Sequence, residues 1–556
     1  MLPSINAPDR QAEAFPVLTP AQIARIRPYG NVRSVHAGEI LFEPGTLGMP
    51  CFVVLSGKLD IAMPGLSGEQ VFVTHGPGQF SGEVVLISGA SALSRGRVAE
   101  PGEFLELSAD ALRALNGRDA ELSDIFMRAF LLRRIALISE GLGNVIVLGS
   151  RHSSNTLRLR EFLTRNGHPH SYVDLDSDPA SQELLDRFEI KVEDIPVVIC
   201  SGTGVLRNPT NQQLAKCLGF TGHIDQSRIH DVAIVGAGPA GLGAAVYAAS
   251  EGLDTVVIES QFPGGQAGAS SKIENYLGFP MGISGQELTG RAVVQAEKFG
   301  AQMIVGEKVV RIRCDQRPYQ LTLENGTLID TRSIVIAAGA QYNKPNVENL
   351  VRFEGQGVYY AATFMEAQLC TGEEIVLVGG GNSAGQAAVF LAETVQKVYM
   401  LVRGRELSET MSRYLVQRIV ENPGIELHLQ TEIAALEGDL HLERVTWVNR
   451  ATGEKSVHNV RHVFVMAGAS PRTDWLRGCV ALDQRGFILT GRDLDPILDS
   501  APLKWPLSRP PQMLETSLPA VYAVGDIRSG NVKRVASAAG EGSISIHLVH
   551  LALAAM

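Results

Sequence analysis

Short runs in which apolar and polar positions alternate, separated by glycine turns, occupy the chain from Val32 to Ser108. Such alternation is typical of antiparallel β-structure. After Ser108 the apolar positions recur every three or four residues, which predicts one helix from Ala109 to Leu142. The pattern therefore predicts a first domain, residues 1–142, made of a β-roll and a trailing helix. The alternating runs are Glu39–Gly45, Cys51–Gly57, Val71–Thr74 and Phe104–Leu107.

From Asn144 to Leu218 the pattern changes to alternating strands and helices. Pro196 opens one of the apolar runs, where its missing N–H removes no sheet hydrogen bond, and the bond before a proline is where cis peptides occur. The texture predicts a small α/β domain at residues 143–225. Its predicted strands are Val145–Gly149, Ser171–Leu175 and Ile195–Cys200, and its predicted helices are Asn155–Asn166 and Ser181–Phe188.

The remainder of the chain, from His230 onward, contains one strand–turn–helix–strand pattern twice, and the second copy interrupts the domain that the first begins. The expected fold class is α/β, with two nested Rossmann-like dinucleotide-binding domains behind the β-roll and the small α/β domain. The first of these domains is expected at residues 226–343 and 467–556. The second is expected at residues 344–466.

Composition limits the possible functions. The chain has 556 residues, of which 45% are hydrophobic and 19% are charged, so extensive disorder is not expected. A net charge of -10 argues against nucleic acid as a partner. Neither the N-terminal residues nor the apolar segment Ile544–Met556 fits a signal peptide or a membrane helix, which predicts a cytoplasmic protein. The six cysteines include no Cys-x-x-Cys pair, so we expect neither a local dithiol nor a metal site.

The first glycine turn follows the predicted strand Asp231–Val235. Gly236 makes the turn, Gly238 lets a pyrophosphate approach the backbone, and Gly241 lets the following helix pack on the strand. The next predicted strand ends in Glu259, which is placed to accept hydrogen bonds from a ribose. The order of strand, glycines, helix, strand and acid predicts a dinucleotide site.

The second glycine turn follows the predicted strand Glu374–Val378, and the strand after it is predicted at Lys397–Val402. The position that corresponds to Glu259 is Val402, and arginines follow it. Compared with the first site, the second lacks the acid and has guanidinium groups next to that position. This combination suits a 2′-phosphate and favours NADPH over NADH. Arg405 and Arg413 also fit solvated surface arginines. The predicted NADPH-binding residues are Gly379, Gly381, Asn382, Ser383, Ala384, Arg403 and Arg405.

Five further motifs between Ile229 and Met556 resemble those of the thioredoxin-reductase-like flavoproteins. They are Gly264–Gln266, Ile273–Tyr276, Ile334–Gly339, Val521–Asp526 and Arg534–Ala536. The resemblance implies that the first turn binds FAD and that the protein is a homodimer. It also implies that the NADPH domain rotates against the FAD domain between two arrangements, and without a dithiol the one with nicotinamide against flavin is expected to dominate. The implied FAD-binding residues are Gly236, Gly238, Gly241, Glu259, Gly265, Gln266, Asn275, Gly339, Gly525, Asp526, Arg534, Val535 and Ala536.

Thioredoxin reductases carry a redox dithiol before the second turn, and the aligned segment here is Ala361–Phe364, which contains no sulfur. The nearby Cys370 is expected to be a buried structural cysteine. The small α/β domain resembles thioredoxin or glutaredoxin, but Ser150–Asn155 replaces the Cys-x-x-Cys motif. Thiol exchange at that position is chemically impossible, so a docking or structural role is expected there.

The β-roll resembles cyclic-nucleotide-binding domains, and Phe80–Gly89 looks like the phosphate cassette with its Gly82 and Glu83. The arginine that pairs with the cyclic phosphate in that family aligns with Ala92. Arg95 and Arg97 are out of register with it. A role in packing or dimerisation is therefore expected instead of nucleotide sensing.

These features predict an NADPH-dependent FAD oxidoreductase that passes electrons to an unidentified acceptor without a dithiol relay. The acceptor is a ferredoxin, a flavodoxin, a quinone or oxygen, and the sequence does not distinguish these. No side chain is expected to act as an acid or base, because the cofactors supply the redox chemistry. Two alternatives remain open: disulfide reduction through cysteines such as Cys200 or Cys370, and a redox-responsive binding module whose flavin state controls a partner.

Overall fold

The computed structural model describes most of the chain. The described residues are 8–46, 48–65, 68–82, 92–139, 145–151, 153–176, 191, 194–200, 204–220, 225–270, 272–439, 441–496 and 505–556. Two sequence predictions fall outside them: the helix predicted at Ser181–Phe188 and most of the cassette predicted at Phe80–Gly89. Among the described residues, no helix is long and apolar enough to cross a membrane.

The N-terminal region is a β-roll of two antiparallel sheets around a core of buried phenylalanines. One sheet contains Asn31–Val35, Gly102–Leu107 and Cys51–Val54 in that order, and the other contains Ile40–Phe42, Arg95–Glu100, Lys58–Gly65 and Gly68–His75. The helices of this region are Pro8–Ala14, Pro20–Ile26, Ala109–Arg118 and Ala120–Ser139, with a 3-10 turn at Arg27–Tyr29.

The single helix predicted from Ala109 to Leu142 is wrong, because the structure contains two helices there. Asp119 leaves the helical conformation, with φ −124° and ψ 100°. Its carboxylate accepts a hydrogen bond from the backbone N–H of Leu122 at 3.1 Å. An aspartate in this position caps the second helix, so the chain starts a new helix instead of continuing the first.

A small α/β unit follows, which we call the accessory unit and define as Val145–Cys217. Its four-stranded sheet has the order Gly204–Arg207, Val197–Cys200, Val145–Gly149 and Ser171–Asp174, and the last two strands are parallel. The helices among its described residues are Ser154–Arg165 and Asn211–Cys217. Three of the observed strands lie within the predicted ones, and the sequence analysis missed the fourth, Gly204–Arg207. The Ile195–Pro196 bond is cis.

The first Rossmann domain is built on a seven-stranded sheet. Strands Gln302–Val305, Thr255–Glu259, Ile229–Val235, Leu328–Ile336 and Val521–Ala523 are parallel, and Tyr319–Leu323 and Val309–Arg313 extend the sheet in antiparallel fashion. The parallel strands are almost continuously apolar because both faces of the sheet are covered. The helices pack on one face, and the antiparallel strands and the segment of residues 476–488 pack on the other. The helices are Pro239–Ser250, Gly285–Lys298 and Val535–Ala554, with 3-10 turns at Ala267–Ala269, Asp474–Leu476, Gly491–Leu494 and Gly525–Ile527.

The second Rossmann domain has a five-stranded parallel sheet in the order Val358–Tyr359, His462–Val465, Glu374–Val378, Lys397–Val402 and Ile425–Leu429. An antiparallel sheet of Thr431–Glu437, Arg444–Asn449 and Lys455–His458 packs beside it. The helices are Phe364–Leu369, Asn382–Leu391 and Arg413–Glu421, with a 3-10 turn at Leu350–Phe353.

The two crossings between the Rossmann domains pair with each other. Ala340–Tyr342 and Ala469–Pro471 form a two-stranded antiparallel sheet, and the backbone N–H of Asn343 donates to the carbonyl oxygen of Gly468 at 3.0 Å. This paired crossing lies at the two boundaries expected between the Rossmann domains, residues 343/344 and 466/467. The predicted fold class, two nested Rossmann-like domains behind an antiparallel β-roll and a small α/β unit, is confirmed.

Small residues allow the first and last helices of the first Rossmann domain to pack closely. A Cβ at Gly243 would lie 2.7 Å from the carbonyl oxygen of Ala539, and a Cβ at Gly542 would clash with the carbonyl oxygen of Ala240. Glycines at these two positions therefore permit the close contact of the helices Pro239–Ser250 and Val535–Ala554 beneath the first glycine turn.

Candidate functional site

The first glycine turn connects the strand Ile229–Val235 to a helix that begins at Pro239. Gly236 has φ of +102°, and a Cβ there would lie 2.5 Å from the carbonyl oxygen of Ala337. At Gly238, the N-cap residue, no atom lies within 4 Å of the position of a Cβ. The open space faces the N-terminus of the helix, whose unpaired N–H groups and dipole favour anions. This arrangement fits the pyrophosphate of a dinucleotide.

Glu259 ends the second strand beside that turn, as predicted. Its carboxylate accepts hydrogen bonds from the backbone N–H of Ala237 at 2.8 Å and of Gln261 at 2.9 Å. Burial raises the pKa of Glu259, and these two hydrogen bonds oppose that rise. The acid is thus fixed at the edge of the turn, as an acceptor for ribose hydroxyls requires.

The loop Gly264–Gln266 lies against the first turn. The N–H of Gly264 donates to the carbonyl oxygen of Ala237 at 2.7 Å, and both glycines of the loop have left-handed backbone conformations. A Cβ at Gly265 would lie 3.3 Å from the Cα of Gly238. The side chain of Gln266 donates to the carbonyl oxygen of Ala340 at the crossing. The fold therefore brings three of the predicted FAD-binding residues together, namely Gly238, Gly265 and Gln266.

The C-terminal motif closes the other side of this region. Gly525 has φ of +72°, and its N–H donates to the Glu541 carboxylate at 2.8 Å. Burial raises the pKa of the neighbouring Asp526. Arg534 is the N-cap residue of the last helix, whose first turn contains Val535 and Ala536. Sequence reasoning missed Glu541, which also pairs with Arg528 and so holds the motif in place.

Two predicted FAD-binding residues have less contact with the rest of the site. Gly339 lies beyond the strand Leu328–Ile336 with φ of +65° and open space around it. Asn275 is exposed. Its neighbour Glu274 forms an ion pair of 2.6 Å with Arg418 of the second Rossmann domain. The segment next to the predicted flavin site therefore also connects the two Rossmann domains.

The second glycine turn repeats the first. Gly379 has φ of +149°, and a Cβ there would lie 2.6 Å from the carbonyl oxygen of Met466. Gly381 is the N-cap residue of the helix Asn382–Leu391 and faces open space. The side chain of Asn382 accepts a hydrogen bond from the N–H of Ser412 at 2.7 Å. Ser383 is in the first helical turn, and Ala384 is buried beneath it. The turn fits a second pyrophosphate.

Three arginines follow the second strand of this copy. Arg403, Arg405 and Arg413 are exposed. None of the three is in an ion pair with any residue that the structure describes. Guanidinium groups near the end of this strand, with Val402 in place of an acid, fit a 2′-phosphate.

Four of the six cysteines are paired. Cys200 pairs with Cys217 inside the accessory unit, and Cys314 pairs with Cys479 in the first Rossmann domain. Sequence reasoning missed both pairs, whose members are 17 and 165 residues apart, because neither has a diagnostic spacing. Cys51 and Cys370 are free and buried. Burial raises the pKa of the Cys370 thiol, so this thiol lacks the thiolate character of a reactive cysteine.

The β-roll arginines have partners of their own. Arg95 forms a 2.7 Å ion pair with Glu43, and Arg97 lies 3.9 Å from Asp60. Ala92 is buried. Glu83 lies outside the described residues. Across the part of the chain that is described, no cluster of histidine, cysteine and acidic residues could hold a metal ion.

Comparison with known proteins identifies relatives of the two Rossmann domains. Residues 230–542 match the family model "Pyridine nucleotide-disulphide oxidoreductase", and residues 32–119 match the "Cyclic nucleotide-binding domain". The thioredoxin reductase of Mycoplasmopsis pulmonis is 31% identical over 58% of this chain and 97% of its own length. That of Bacillus subtilis is 30% identical over 59% of this chain and 95% of its own length.

Solved structures give the same result. The thioredoxin reductase of Lactococcus lactis is 26% identical, with a TM-score of 0.52 over 59% of this chain and all of its own. That of T. acidophilum is 29% identical, with a TM-score of 0.52 over 58% of this chain and 98% of its own. The family model over residues 230–542 covers both predicted glycine turns.

Proposed function

The chain belongs to the pyridine nucleotide-disulphide oxidoreductase family, and from that premise we propose that it oxidises NADPH through FAD and delivers the electrons without a dithiol relay. As a member of this family it is a flavoprotein oxidoreductase, with FAD and NADPH as cofactors. The observation that carries the proposal is the combination of two complete glycine turns with the sulfur-free segment Ala361–Phe364.

In this proposal each Rossmann domain holds one cofactor. Gly236, Gly238 and the helix that begins at Pro239 bind the FAD pyrophosphate, and Glu259 accepts hydrogen bonds from its ribose. Gly381 and Arg403 bind the pyrophosphate and the 2′-phosphate of NADPH. The bound cofactors supply the hydride chemistry, so the protein contributes binding, orientation and electrostatics. The positive end of the helix that begins at Val535 favours negative charge nearby.

The rate of NADPH oxidation distinguishes an enzyme from a sensor. We propose turnover, so steady-state NADPH oxidation should proceed with artificial electron acceptors. A negligible rate in protein that contains FAD would favour a redox-responsive binding module instead.

We further propose that the protein is a cytoplasmic homodimer, as thioredoxin reductases commonly are. The exposed side chains of Tyr247, Ile544 and Leu551, on the helices Pro239–Ser250 and Val535–Ala554, support a second copy as the partner.

Replacing Arg403 with alanine should weaken NADPH binding selectively. A charge-assisted hydrogen bond is worth about 1.5–3 kcal/mol, which corresponds to roughly 10- to 150-fold in affinity. NADH lacks the 2′-phosphate, so its binding should barely change. The measurement is the dissociation constant of each nucleotide, with Arg444→Ala as the matched surface control, since Arg444 is paired with Glu437 in the antiparallel sheet of the same domain. Equal losses for both nucleotides in the Arg403 variant would assign Arg403 to the fold.

The second candidate function is disulfide reduction, and the Cys200–Cys217 pair favours testing it. This pair lies in a hydrophobic cluster that includes Phe262, which precedes the loop Gly264–Gln266. Reduction would consume the two electrons of one hydride and one proton, and would release two thiols. The pair therefore shares a hydrophobic cluster with a residue of the segment that leads into the predicted flavin loop, although Cys200 is buried.

We expect this second candidate to fail. Cys200→Ser, Cys217→Ser and Cys370→Ser should each keep the wild-type rate of NADPH oxidation with an artificial acceptor, because hydride transfer needs no sulfur. Turnover with thioredoxin and with a small disulfide is measured on the same variants. Wild-type disulfide reductase activity that disappears in the Cys200 and Cys217 variants would establish this candidate in place of the first.

A further inference from the structure

The accessory unit contacts the predicted flavin site through the end of one helix. Arg165, the last residue of Ser154–Arg165, donates from its Nη2 to the carbonyl oxygen of Gly265 at 2.6 Å. Its guanidinium carbon lies 3.4 Å from the ring centroid of Phe262. Only 11% of its side chain is exposed. A buried guanidinium that both stacks and donates is fixed in one orientation.

Two neighbouring contacts hold the same segment. The side chain of Asn166 donates to the carbonyl oxygen of Gln261 at 3.3 Å, and the side chain of Gln286 donates to the carbonyl oxygen of Thr164 at 2.7 Å. The end of the accessory helix thus lies across the segment that leads into Gly264–Gln266. The loop in turn contacts Gly238 of the phosphate turn. The end of the accessory helix therefore supports the side of the loop that faces away from the phosphate turn.

Charge at this junction comes from three parts of the chain. Arg165 forms a 3.1 Å ion pair with Glu161 of its own helix. Its charge also interacts with Glu259 of the first Rossmann domain and Glu366 of the second. Glu366 is buried and Glu259 is partly buried, and burial raises the pKa of each. Arg165 therefore pairs with one carboxylate, and two further carboxylates, one from each Rossmann domain, lie within range of its charge.

The accessory unit also touches the second Rossmann domain at the other end of the same helix. A Cβ at Gly355 would lie 2.9 Å from the Cβ of Ser154. Ser154 belongs to the segment Ser150–Asn155 that replaces the Cys-x-x-Cys motif. The helix therefore contacts both Rossmann domains. Its N-terminal end, which lacks the redox cysteines, lies on the second domain, and Arg165 at its C-terminal end lies on the flavin loop.

We propose that Arg165 is a positioning residue of the flavin site: by holding the Gly265 carbonyl and Phe262, it fixes the loop Gly264–Gln266 against the FAD-binding turn. The accessory unit is then an integral part of the cofactor site. This inference rests on the proposed function, because the loop matters only if FAD binds at Gly236–Gly241. It assigns the unit a role that requires no thiol.

The test compares two arginines of the same helix in the full-length protein. Arg165 stacks on Phe262 of the first Rossmann domain. Arg160 lies 4.0 Å over Tyr172 inside the accessory unit, so Arg160→Ala is the matched control. FAD dissociation constants are measured by reconstituting each apoprotein, together with the visible absorption and circular dichroism of the bound flavin and the melting temperature.

Arg165→Ala removes the charge-assisted hydrogen bond that holds the Gly265 carbonyl in the loop. FAD binding should therefore weaken by about tenfold, and the flavin spectrum should change. Arg165→Lys keeps the charge and a donor but loses the planar stacking, so it should restore part of both properties. Arg160→Ala should leave FAD affinity and spectrum unchanged. If Arg165→Ala does not fold, the lysine variant alone decides, because it must still differ from wild type in spectrum and affinity.

Two results would contradict the account, and they are distinguishable. If wild-type protein contains FAD and is reduced by NADPH, but Arg165→Ala and Arg165→Lys change only the melting temperature, Arg165 is a structural contact and this inference fails alone. If the wild-type protein binds no FAD, the proposed function fails and this inference fails with it.

Discussion

Replacing Gly238 with valine should yield a folded protein without FAD. Gly238 has φ −73° and ψ −177°, which any residue adopts, and no protein atom lies within 4 Å of the position of a Cβ. The valine therefore costs the fold little but fills the space for the pyrophosphate. We expect FAD affinity to fall by at least about 100-fold, or about 2.8 kcal/mol. Flavin absorbance per protein after purification measures this.

The matched control for this prediction is Gly243→Val, five residues further along. A Cβ at Gly243 would lie 2.7 Å from the carbonyl oxygen of Ala539, so this substitution should separate two packed helices and destabilise the protein itself. Gly238→Val should instead melt with wild-type apoprotein, because only the stabilisation from ligand binding is lost. Normal flavin content in Gly238→Val would contradict the assignment of the FAD site.

Replacing Gly381 with valine should have the complementary effect. Gly381 has φ −93° and ψ 177°, and open space lies around the position of its Cβ. The variant should keep a full complement of FAD but lose NADPH binding by at least about 100-fold, or about 2.8 kcal/mol. Flavin reduction by NADPH, followed anaerobically, measures the loss.

A chemical reductant provides the control for Gly381→Val. Dithionite should reduce its flavin as fully as that of the wild type, because the FAD site is intact. Reduction by NADPH at the wild-type rate would show that the second glycine turn is not the nicotinamide nucleotide site. Loss of FAD from this variant would show that the two turns are not independent.

The sequence predicts the two nucleotide turns well because local sterics decide them. The observed strands Glu374–Val378 and Lys397–Val402 have the predicted bounds, and Gly236 and Gly379 both adopt positive φ values. A strand followed by a glycine turn and a helix admits few alternatives, so the positions of the glycines determine where the turns lie. Which cofactor each turn binds rested on the arginines after Val402 and on resemblance.

Local pattern could not predict the contacts between distant segments. Arg165 and Gly265 are 100 residues apart, and Glu541 holds Gly525 from the last helix. Nothing in the spacing of either pair indicates the contact. The prediction of one helix across Asp119 failed for a different reason. An aspartate is compatible both with a continuing helix and with a helix cap, and tertiary packing decides between them.

Anaerobic titration of the full-length protein with NADPH tests the central claim most directly. One hydride carries two electrons and FAD accepts two, so in the absence of a dithiol relay the flavin absorbance should be lost completely after one equivalent of NADPH per FAD. Cys200→Ser should give the same end point. A requirement for two equivalents in the wild type, falling to one in Cys200→Ser, would contradict the account by showing that the Cys200–Cys217 disulfide takes electrons from the flavin.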